Sequence, residues 1–465
     1  MMNGRNTPKK EKVKHMFDLV LQNGMVCDPA NAVYSLLNVG IRDGKIAALS
    51  DKPLEGKEVR DCTGYIVTPG FVDAHLHEDE MQDGVLIPEI TLRSLRMGVT
   101  TFVGGQCGSS QRDLAVYRAA YDGKQPVNIA LLSGHGTIRR MVGARDKYAP
   151  VTPEQVQQMC EILEQQLASG LSYGLSMGIR YIPGMSMDEM CAMAAVVKKY
   201  DGVVAAHVRD DAVYNIKPFE EFIEIGRRTG CRLQVSHLGS MAAYGLMEQV
   251  LSYLDACAAE GMDIWIDCYP YNAFSTSIGA TTYDEGFLQR YGNDVSKIEM
   301  TDGEYKGRRI PDLETFHRLR KEHPEYLTVG HVMDDAEVDR ALLHPRTMVG
   351  SDGILLNGAG HPRAAGTFPR FLRMYALENP RLSMPEAIAK VTCKAAKRFG
   401  LKKGTLSLGA DADVTVFDPK TLTDHATFQE PALAPTGIKL VVLGGNVALV
   451  DGEICKADLG RMITR

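Results

Sequence analysis

The sequence predicts an α/β fold: a (β/α)₈ barrel with a small antiparallel sheet domain beside it. Two patterns carry this prediction. Between residues 69 and 404, apolar strand-like runs alternate with amphipathic helix candidates, the pattern of parallel strands joined by helical crossovers. At both ends of the chain, short strand-like runs instead alternate with Asn-Gly, Asp-Gly and Gly-Gly turn signals. We expect the two ends to form one sheet domain together.

The length of the chain suits one large and one small domain. A chain of 465 residues can form such a barrel and an appended module, and can bury a large core. We assign residues 69–404 to the barrel, and residues 1–68 and 405–465 to the sheet domain, a β-sandwich. Residues 1–15 begin basic and polar, and we expect them to be a disordered extension.

The central region contains nine strand-like apolar runs, one more than the eight strands of a (β/α)₈ barrel. One of the nine is therefore an extra strand or no strand. The runs are FVDAHLH, VTTFVGGQC, VNIALLSGH, SYGLSMG, VVAAHVR, RLQVSHL, DIWIDCYPY, YLTVGHV and TMVGSD. The polar, charged segment at 284–318 interrupts the alternation, and we expect it to be an insertion over one end of the barrel.

Composition excludes several kinds of partner. The formal net charge is -6 at pH 7, so the chain has no basic surplus with which to hold nucleic acid or an acidic membrane. No apolar run approaches the ~18 residues that a spanning helix requires, and the opening residues contain no apolar core of signal-peptide length. The ten cysteines lack the spacing of a disulfide scaffold or a zinc finger. We therefore expect a cytoplasmic protein with neither nucleic acid nor a membrane as partner.

Six side chains of metal-binding type lie at or near the C-terminal ends of strand-like runs. They are His75, His77, Cys107, His207, His237 and Asp352. Side chains alternate faces along a strand, so His75 and His77, at positions i and i+2, point to one side. In a barrel the C-terminal strand ends converge on the face where active sites are built. We therefore expect the six side chains to meet at one mouth.

A metal ion explains this cluster better than six separate structural roles do. A single histidine at a strand end is commonly a hydrogen-bonded structural residue, and a free cysteine such as Cys107 is usually a small apolar side chain. Several buried imidazoles and a carboxylate without an ion would carry large desolvation costs. Imidazole and thiolate suit Zn²⁺, and a catalytic zinc lowers the pKa of its bound water toward neutrality. The sequence thus predicts a zinc site that supplies hydroxide near pH 7.

Longer motifs give the chain a family resemblance. They include PGFVDAHLHED, GVTTFVGGQCG, GLSYGLSMGIRYIPG, AAHVRDD, VSHLGS, MVGSDG and HPRAAGTFPRFL. With these motifs the chain resembles the amidohydrolase superfamily and, more narrowly, the N-acyl-D-amino acid deacylases. Cys107 points to the deacylases in particular, because most superfamily members bridge their metals with a carboxylated lysine at this place. The resemblance implies a distorted (β/α)₈ barrel beside a β-sandwich made from both chain ends.

The resemblance also implies a division of the six side chains between one tight zinc and a second, weaker metal position. The tight zinc would be held by Cys107, His207 and His237, and the weaker position would be surrounded by His75, His77 and Asp352. Asp352 would in addition act as general base and acid. It would take a proton from the metal-bound water and return it to the leaving amine nitrogen.

A substrate carboxylate needs a cationic partner with two parallel donors, and a guanidinium has that geometry. Arg363 matches the family arginine for this task. By the same resemblance Tyr271, Ser275 and Tyr181 match positions that line the pocket, although ordinary packing would also account for them. One residue departs from the family pattern: many D-aminoacylases have a lysine where this chain has Gly239. This difference leaves the preferred substrate side chain open.

Three hypotheses of function follow. The first is a zinc-dependent enzyme that hydrolyses N-acyl-D-amino acids. The second is a cyclic amide hydrolase of the hydantoinase or dihydropyrimidinase kind, against which the missing lysine bridge argues. The third is a silent binding or assembly subunit, against which the retention of all six metal-capable side chains argues. The run GIKLVVLGGNVALV is a candidate contact for a homo-oligomer, and burial within the sandwich would explain it equally well.

Overall fold

The computed structural model describes residues 16–211 and 213–465. The predicted extension at residues 1–15 lies outside this part of the chain. Within it, every helix is too short or too polar to cross a membrane.

The strands fall into three groups along the chain. The N-terminal group comprises β1 (Phe17–Asp28), β2 (Val33–Arg42), β3 (Lys45–Ser50), β4 (Gly56–Asp61) and β5 (Ile66–Pro69). The central group comprises β6 (Phe71–Asp73), β7 (Met81–Gln82), β8 (Val85–Leu86), β9 (Val99–Gly104), β10 (Asn128–Leu131), β11 (Ser133–Gly134), β12 (Gly174–Gly178), β13 (Val203–His207), β14 (Arg232–Val235), β15 (Ile264–Cys268), β16 (Phe274–Ser277), β17 (Ile298–Met300), β18 (Leu327–Gly330), β19 (Thr347–Val349), β20 (Leu355–Leu356) and β21 (Ala359–Gly360). The C-terminal group comprises β22 (Val414–Phe417), β23 (Ile438–Leu443), β24 (Asn446–Val450) and β25 (Glu453–Ile454).

The helices lie mainly between the central strands. They are α1 (Ile90–Arg96), α2 (Leu114–Tyr121), α3 (His135–Met141), α4 (Pro153–Ala168), α5 (Met187–Lys199), α6 (Lys217–Thr229), α7 (Leu238–Ala242), α8 (Met247–Ala259), α9 (Phe287–Arg290), α10 (Leu313–Glu322), α11 (Asp335–Leu343), α12 (Arg363–Leu372), α13 (Met384–Val391) and α14 (Cys393–Phe399). Short 3₁₀ turns occur at Pro29–Asn31, Thr281–Tyr283, Val295–Lys297 and Gly303–Tyr305, and a π-helical segment at Arg373–Glu378.

Both ends of the chain meet in one sheet. Its strands follow the order β25-β24-β23-β22-β5-β1-β2-β3, and β4 pairs with β1 in parallel. The junction between the two ends is the antiparallel pair of β22 and β5. The apolar run GIKLVVLGGNVALV supplies β23 and β24, and Val441 and Val442 in it are fully buried. Burial in this sheet therefore accounts for the apolar character of the run.

Eight parallel strands of the described chain form the barrel: β6, β9, β10 with its continuation β11, β12, β13, β14, β15 and β19. The last strand returns to the first, because the amide of Ala74 donates to the carbonyl of Val349 over 3.2 Å and the amide of Asp352 donates to the carbonyl of His75 over 2.7 Å. The predicted fold class is confirmed. The predicted boundaries after residues 68 and 404 stay predictions.

Of the nine strand candidates, YLTVGHV is the extra one. It forms β18, which pairs antiparallel with β16 and β17 outside the barrel. All four residues of β18 are buried, so its apolar composition matches that of a barrel strand. Hydrophobic pattern alone does not distinguish the two settings.

A buried ion pair fixes the segment after α3. Nη1 of Arg139 lies 2.8 and 3.0 Å from the two carboxylate oxygens of Glu189, and both side chains are almost fully buried. Nη2 of the same arginine donates to the carbonyl of Ala149. This guanidinium therefore ties α3, α5 and the connecting segment together.

We expect Glu189→Ala to lower the free energy of unfolding by about 3–5 kcal/mol, because it leaves the Arg139 cation buried without its partner. Urea denaturation measures the change. The matched control is Glu224→Ala, which removes the exposed ion pair with Arg228 and should have a much smaller effect. Equal losses in the two variants would contradict the structural role of the buried pair.

Candidate metal centre and active site

A cavity of about 560 Å³ opens at the C-terminal ends of the barrel strands. Five of the six predicted metal ligands line it, and the sixth, His75, is fully buried next to them. The five are His77, Cys107, His207, His237 and Asp352. The structure therefore brings the six predicted side chains to one mouth.

Four side chains form the centre of the cluster. One donor atom from each of His75, Cys107, His237 and Asp352 lies within 4.8 Å of the other three. Sγ of Cys107 is 3.3 Å from Nε2 of His237 and 3.6 Å from Nε2 of His75. These distances allow one cation to contact all four donors.

The two remaining histidines flank this centre. Nε2 of His77 lies 3.1 Å from Oδ1 of Asp352, and Nδ1 of His207 lies 3.1 Å from Nε2 of His237. His75 and His77 both follow the end of β6, and Nε2 of His75 lies 3.5 Å from the same Asp352 oxygen. The two rings thus face one side, as their spacing predicts.

Three residues of the cluster have a left-handed backbone conformation, which residues other than glycine rarely adopt. The φ angles are 51° at Cys107, 32° at His237 and 50° at Asp352. The turn after β9 also brings Gly108 against the next strand, where an added Cβ would lie 2.6 Å from the amide nitrogen of Gly178. Such conformations cost free energy and gather at functional sites. The folded barrel therefore holds these three side chains in place against local backbone preference.

Electrostatics favour the metal-binding protonation states of Cys107, Asp352 and His207, whereas at His75 and His77 the neighbouring carboxylates Asp267 and Asp352 outweigh burial and raise the pKa values. Burial raises the pKa of the Cys107 thiol, but the adjacent His237 ring helps to hold this pKa well below its usual value. Burial also raises the pKa of Asp352, which Arg363 and His237 hold well below its usual range. Burial lowers the pKa of His207 to about 4. Thiolate, carboxylate and neutral imidazole are metal ligands, and this donor set fits Zn²⁺.

Comparison with known proteins identifies the family. The sequence profile of the amidohydrolase family matches residues 58–286 and 318–449, which is most of the chain. The chain belongs to the amidohydrolase family. The unmatched interval between these two ranges lies within the segment at 284–318 that was predicted as an insertion.

Two similar proteins show to which group within the amidohydrolases the chain belongs. The D-aminoacylase of Alcaligenes xylosoxydans xylosoxydans is 30% identical over 97% of this chain and 98% of its own length. The crystal structure of the N-acyl-D-glutamate deacylase of Bordetella bronchiseptica contains zinc and a phosphonate inhibitor that mimics the tetrahedral intermediate of the reaction. It matches with a TM-score of 0.86 and 30% identity, over 96% of this chain and 99% of that chain. This amidohydrolase is therefore a member of the N-acyl-D-amino acid deacylase family.

A hydantoinase is a more distant neighbour. The L-hydantoinase of Arthrobacter aurescens matches with a TM-score of 0.62 over 97% of this chain and 100% of that chain, at 19% identity. At that identity the likeness concerns the fold alone.

Arg363 stands beside the metal cluster of the amidohydrolase. It is the first residue of α12 and is almost fully buried, with its guanidinium 4.7 Å above the ring of Tyr269. Nη1 lies 2.8 Å from Oδ2 of Asp352, an ion pair outside hydrogen-bond geometry. Nε and Nη1 have no hydrogen-bond partner among the described residues. Nη1 is therefore occupied by the ion pair with Asp352, whereas Nε is a donor without a partner in the described part of the chain.

The predicted pocket residues divide into two groups. Ser275 and Tyr181 line the cavity, and the Ser275 hydroxyl is buried without a hydrogen-bond partner in the described part of the chain. Tyr271 is not brought to the cavity. Its hydroxyl donates to the carbonyl of Pro362 over 3.4 Å, and Arg370 lies 4.7 Å above its ring.

The reason for the position of Tyr271 is a local turn. The amide of Tyr271 donates to the carbonyl of Tyr269 over 3.0 Å, so the alternation of β15 stops at the YPY motif. It is Tyr269 that contacts Arg363. Sequence spacing could not decide between the two tyrosines.

Sequence reasoning missed two residues that position the cluster. Asp267, fully buried at the end of β15, accepts from the amide of His237 at 2.7 Å and from Nε2 of Gln234 at 2.8 Å. One of its oxygens lies 3.2 Å from Nδ1 of His75, outside hydrogen-bond geometry. The Ser240 hydroxyl lies 2.8 Å from Nδ1 of His237, so that Nε2 faces Cys107. A carboxylate in the buried run DIWIDCYPY was the available signal for Asp267.

We expect Asp267→Asn to weaken zinc binding by about 10- to 100-fold, because groups behind metal ligands set their orientation and basicity. Competition with a chromophoric chelator measures the affinity. Asp255→Asn is the control, since Asp255 is an exposed carboxylate that contacts His344. Unchanged zinc affinity together with a lower unfolding midpoint would make Asp267 a purely structural residue.

Proposed function

We propose that this amidohydrolase is a zinc-dependent enzyme that cleaves the amide bond of N-acyl-D-amino acids to a carboxylate and a free D-amino acid. One observation carries the proposal. A cluster of thiolate, imidazole and carboxylate donors lies in a cavity that the buried guanidinium of Arg363 also lines. The cluster suits a hydrolytic metal, and the guanidinium suits the carboxylate that every N-acylamino acid retains.

The metal would be held by the six clustered side chains. In our assignment Cys107, His207 and His237 hold the tight zinc, and His75, His77 and Asp352 surround a second, weaker position. Bound zinc supplies Lewis acidity, which polarises a carbonyl and lowers the pKa of water. The absence of a lysine at the Cys107 position favours linear over cyclic amides as substrates.

Asp352 is our candidate for the proton carrier. One oxygen of its carboxylate faces Nε2 of His77 and the other faces the guanidinium of Arg363, so the group is fixed at the cavity wall. From there it would accept a proton from the attacking water and return one to the leaving nitrogen. Such a transfer requires a positioned base within hydrogen-bond reach of the reacting atoms.

Arg363 is our candidate for binding the substrate carboxylate. Its guanidinium lines the cavity with Nε unpartnered in the described part of the chain and Nη1 against Asp352, and a planar guanidinium can offer parallel donors to a carboxylate. The unpartnered hydroxyl of Ser275 and the ring of Tyr181 line the same cavity and would contact the bound molecule. Tyr271 receives no substrate role here, because of its contacts with Pro362 and Arg370.

The proposal is tested with N-acetyl-D-amino acids, their L-enantiomers and hydantoins, using zinc-loaded enzyme of known metal content. We expect hydrolysis of D-substrates, with kcat/KM for the other two classes lower by about 100-fold or more. Faster opening of hydantoins would favour the cyclic amide hydrolase. Protein that takes up no zinc and hydrolyses none of these compounds would favour the silent binding subunit.

We also propose a cytoplasmic location. All ten cysteines lie in the described part of the chain as unpaired thiols, which suits a reducing compartment.

A further inference from the structure

A wall of unpaired cations borders the cavity. Arg140, Arg145 and Lys147, from the end of α3 and the segment after it, all line the cavity. Within the described residues, none of the three has a carboxylate at ion-pair distance. The other two cationic groups of the lining differ in this respect, because Arg139 pairs with Glu189 and Arg363 with Asp352. We call the first three residues the cationic wall.

The cationic wall is held by the surrounding structure. The amide of Gly184 donates to the carbonyl of Lys147 over 2.9 Å, and Arg139 donates to the carbonyl of Ala149. The hydroxyl of Tyr148 donates to Asp284 over 2.8 Å. Three separate contacts therefore fix the backbone that carries Arg145 and Lys147 at the mouth.

Two acids near the wall are already engaged, and the exposed Asp146, between Arg145 and Lys147, accepts from the amide of Tyr148. Asp284 pairs with Arg320 at 2.6 Å in addition to its bond from Tyr148. Asp211, an acid of the cavity lining, accepts from the hydroxyl of Tyr291 over 2.8 Å. The whole chain has a net charge of -6, whereas residues 140–147 carry three cations and one acid, Asp146, which makes this side of the cavity a local excess of positive charge. Such an excess attracts an anionic group of the bound molecule.

Gly239, where the family resemblance implies a lysine, contributes no charge to the cavity. Gly239 is buried in α7, and an added Cβ would lie 3.0 Å from Sγ of Cys268 and 3.2 Å from Cε of Met333. These contacts are tighter than ordinary van der Waals packing. The cations at this mouth come instead from the segment after β11, on another side of the barrel from Arg363, which follows β19.

We infer that the preferred substrate carries two carboxylates. This inference rests on the proposed function: Arg363 would bind the α-carboxylate, and the cationic wall would receive the second acidic group. That group is either the side chain of an acidic D-amino acid such as D-aspartate or D-glutamate, or the far end of an acidic acyl group. A cavity of about 560 Å³ is large enough for either molecule.

The test compares kcat/KM on N-acetyl-D-glutamate, N-acetyl-D-aspartate, N-acetyl-D-leucine, N-acetyl-D-lysine and N-succinyl-D-leucine. We expect the wild type to prefer the substrates with two carboxylates. In the double variant Arg145→Gln with Lys147→Gln, the ratio of the N-acetyl-D-glutamate value to the N-acetyl-D-leucine value should fall about five- to tenfold, since each exposed charge contributes modestly. Added salt should lower the same ratio in the wild type.

Two further variants separate charge from structure. Arg145→Lys keeps the positive charge and should keep the ratio near its wild-type value. Lys402→Gln removes an exposed lysine outside the cavity lining and should leave all five rates unchanged. Thermal unfolding of each variant reports whether the fold is intact.

The substrate panel also identifies the source of the second carboxylate. A preference for acidic D-amino acids places the wall at the side chain, whereas a preference confined to N-succinyl-D-leucine places it at the acyl end. If N-acetyl-D-leucine or N-acetyl-D-lysine is cleaved as well as any substrate with two carboxylates, the inference is wrong and the proposed function stands. If no D-substrate is cleaved, the proposed function itself fails.

Discussion

Asp352→Asn is expected to lower kcat on an N-acetyl-D-amino acid by roughly 10³- to 10⁴-fold while the protein stays folded, because the proton carrier is removed and the three assigned ligands of the tight zinc remain. The amide is nearly isosteric with the carboxylate and still occupies the place between His77 and Arg363. It cannot accept a proton from water near neutral pH. The loss should therefore appear in kcat rather than in KM, as measured by steady-state kinetics with saturating zinc.

Two measurements exclude loss of zinc, or a general effect of removing a carboxylate, as the cause of the lower kcat. Zinc content should stay close to that of the wild type, because Cys107, His207 and His237 remain. The control Asp188→Asn changes an exposed carboxylate in the first turn of α5 and should retain wild-type kcat. Wild-type turnover by Asp352→Asn would reject the proposed proton carrier.

The metal cluster could be predicted from sequence because each of its members is tied to a strand end. A parallel strand fixes where its C-terminal residue lies relative to the next strand, so Cys107, His207 and His237 converge once the barrel is assumed. The spacing of His75 and His77 adds the facing direction. The strand ends predict where these residues gather, and the left-handed turns after β9 and β14 then orient Cys107 and His237.

Loop geometry is what sequence could not supply. The turn between Tyr269 and Tyr271 decides which ring reaches Arg363, and it depends on a backbone hydrogen bond that no spacing rule predicts. The left-handed conformations of Cys107 and Asp352 are equally invisible, since neither residue type demands them. Asp267 was missed for a related reason: it acts through the ligands behind which it is buried, and a single carboxylate in a strand has no recognisable pattern.

Substrate specificity could not be predicted from the sequence either, because it also depends on loop geometry. Arg145 and Lys147 lie in a polar connecting segment whose composition resembles many surface loops. Contacts such as those of Gly184, Arg139 and Tyr148 hold this segment at the cavity. Substrate preference is therefore a property of how loops are held on the barrel, whereas the chemistry is a property of the strands.

Cys107→Ala is expected to remove both zinc and activity. The thiolate lies within 3.6 Å of two imidazole nitrogens, those of His237 and His75, and Cys107 follows β9 in a turn with a left-handed backbone. The substitution removes the anionic sulfur ligand of the tight zinc site. Without the zinc, the enzyme also loses the several kcal/mol of transition-state stabilisation that the metal supplies. We expect kcat/KM to fall by about 10³-fold or more and zinc content to fall to near zero.

Cys191→Ala provides the matched comparison. This half-buried thiol of α5 contacts the sulfur of Met187 and lies outside the cavity lining. Zinc content by elemental analysis and kcat/KM on one D-substrate should be retained there. Cys107→Ser is the informative intermediate, since a hydroxyl keeps the shape of the donor but is a far weaker ligand for zinc than thiolate. If Cys107→Ala bound zinc with wild-type stoichiometry and kept its activity, Cys107 would not be a zinc ligand. The histidines alone would then have to hold the metal.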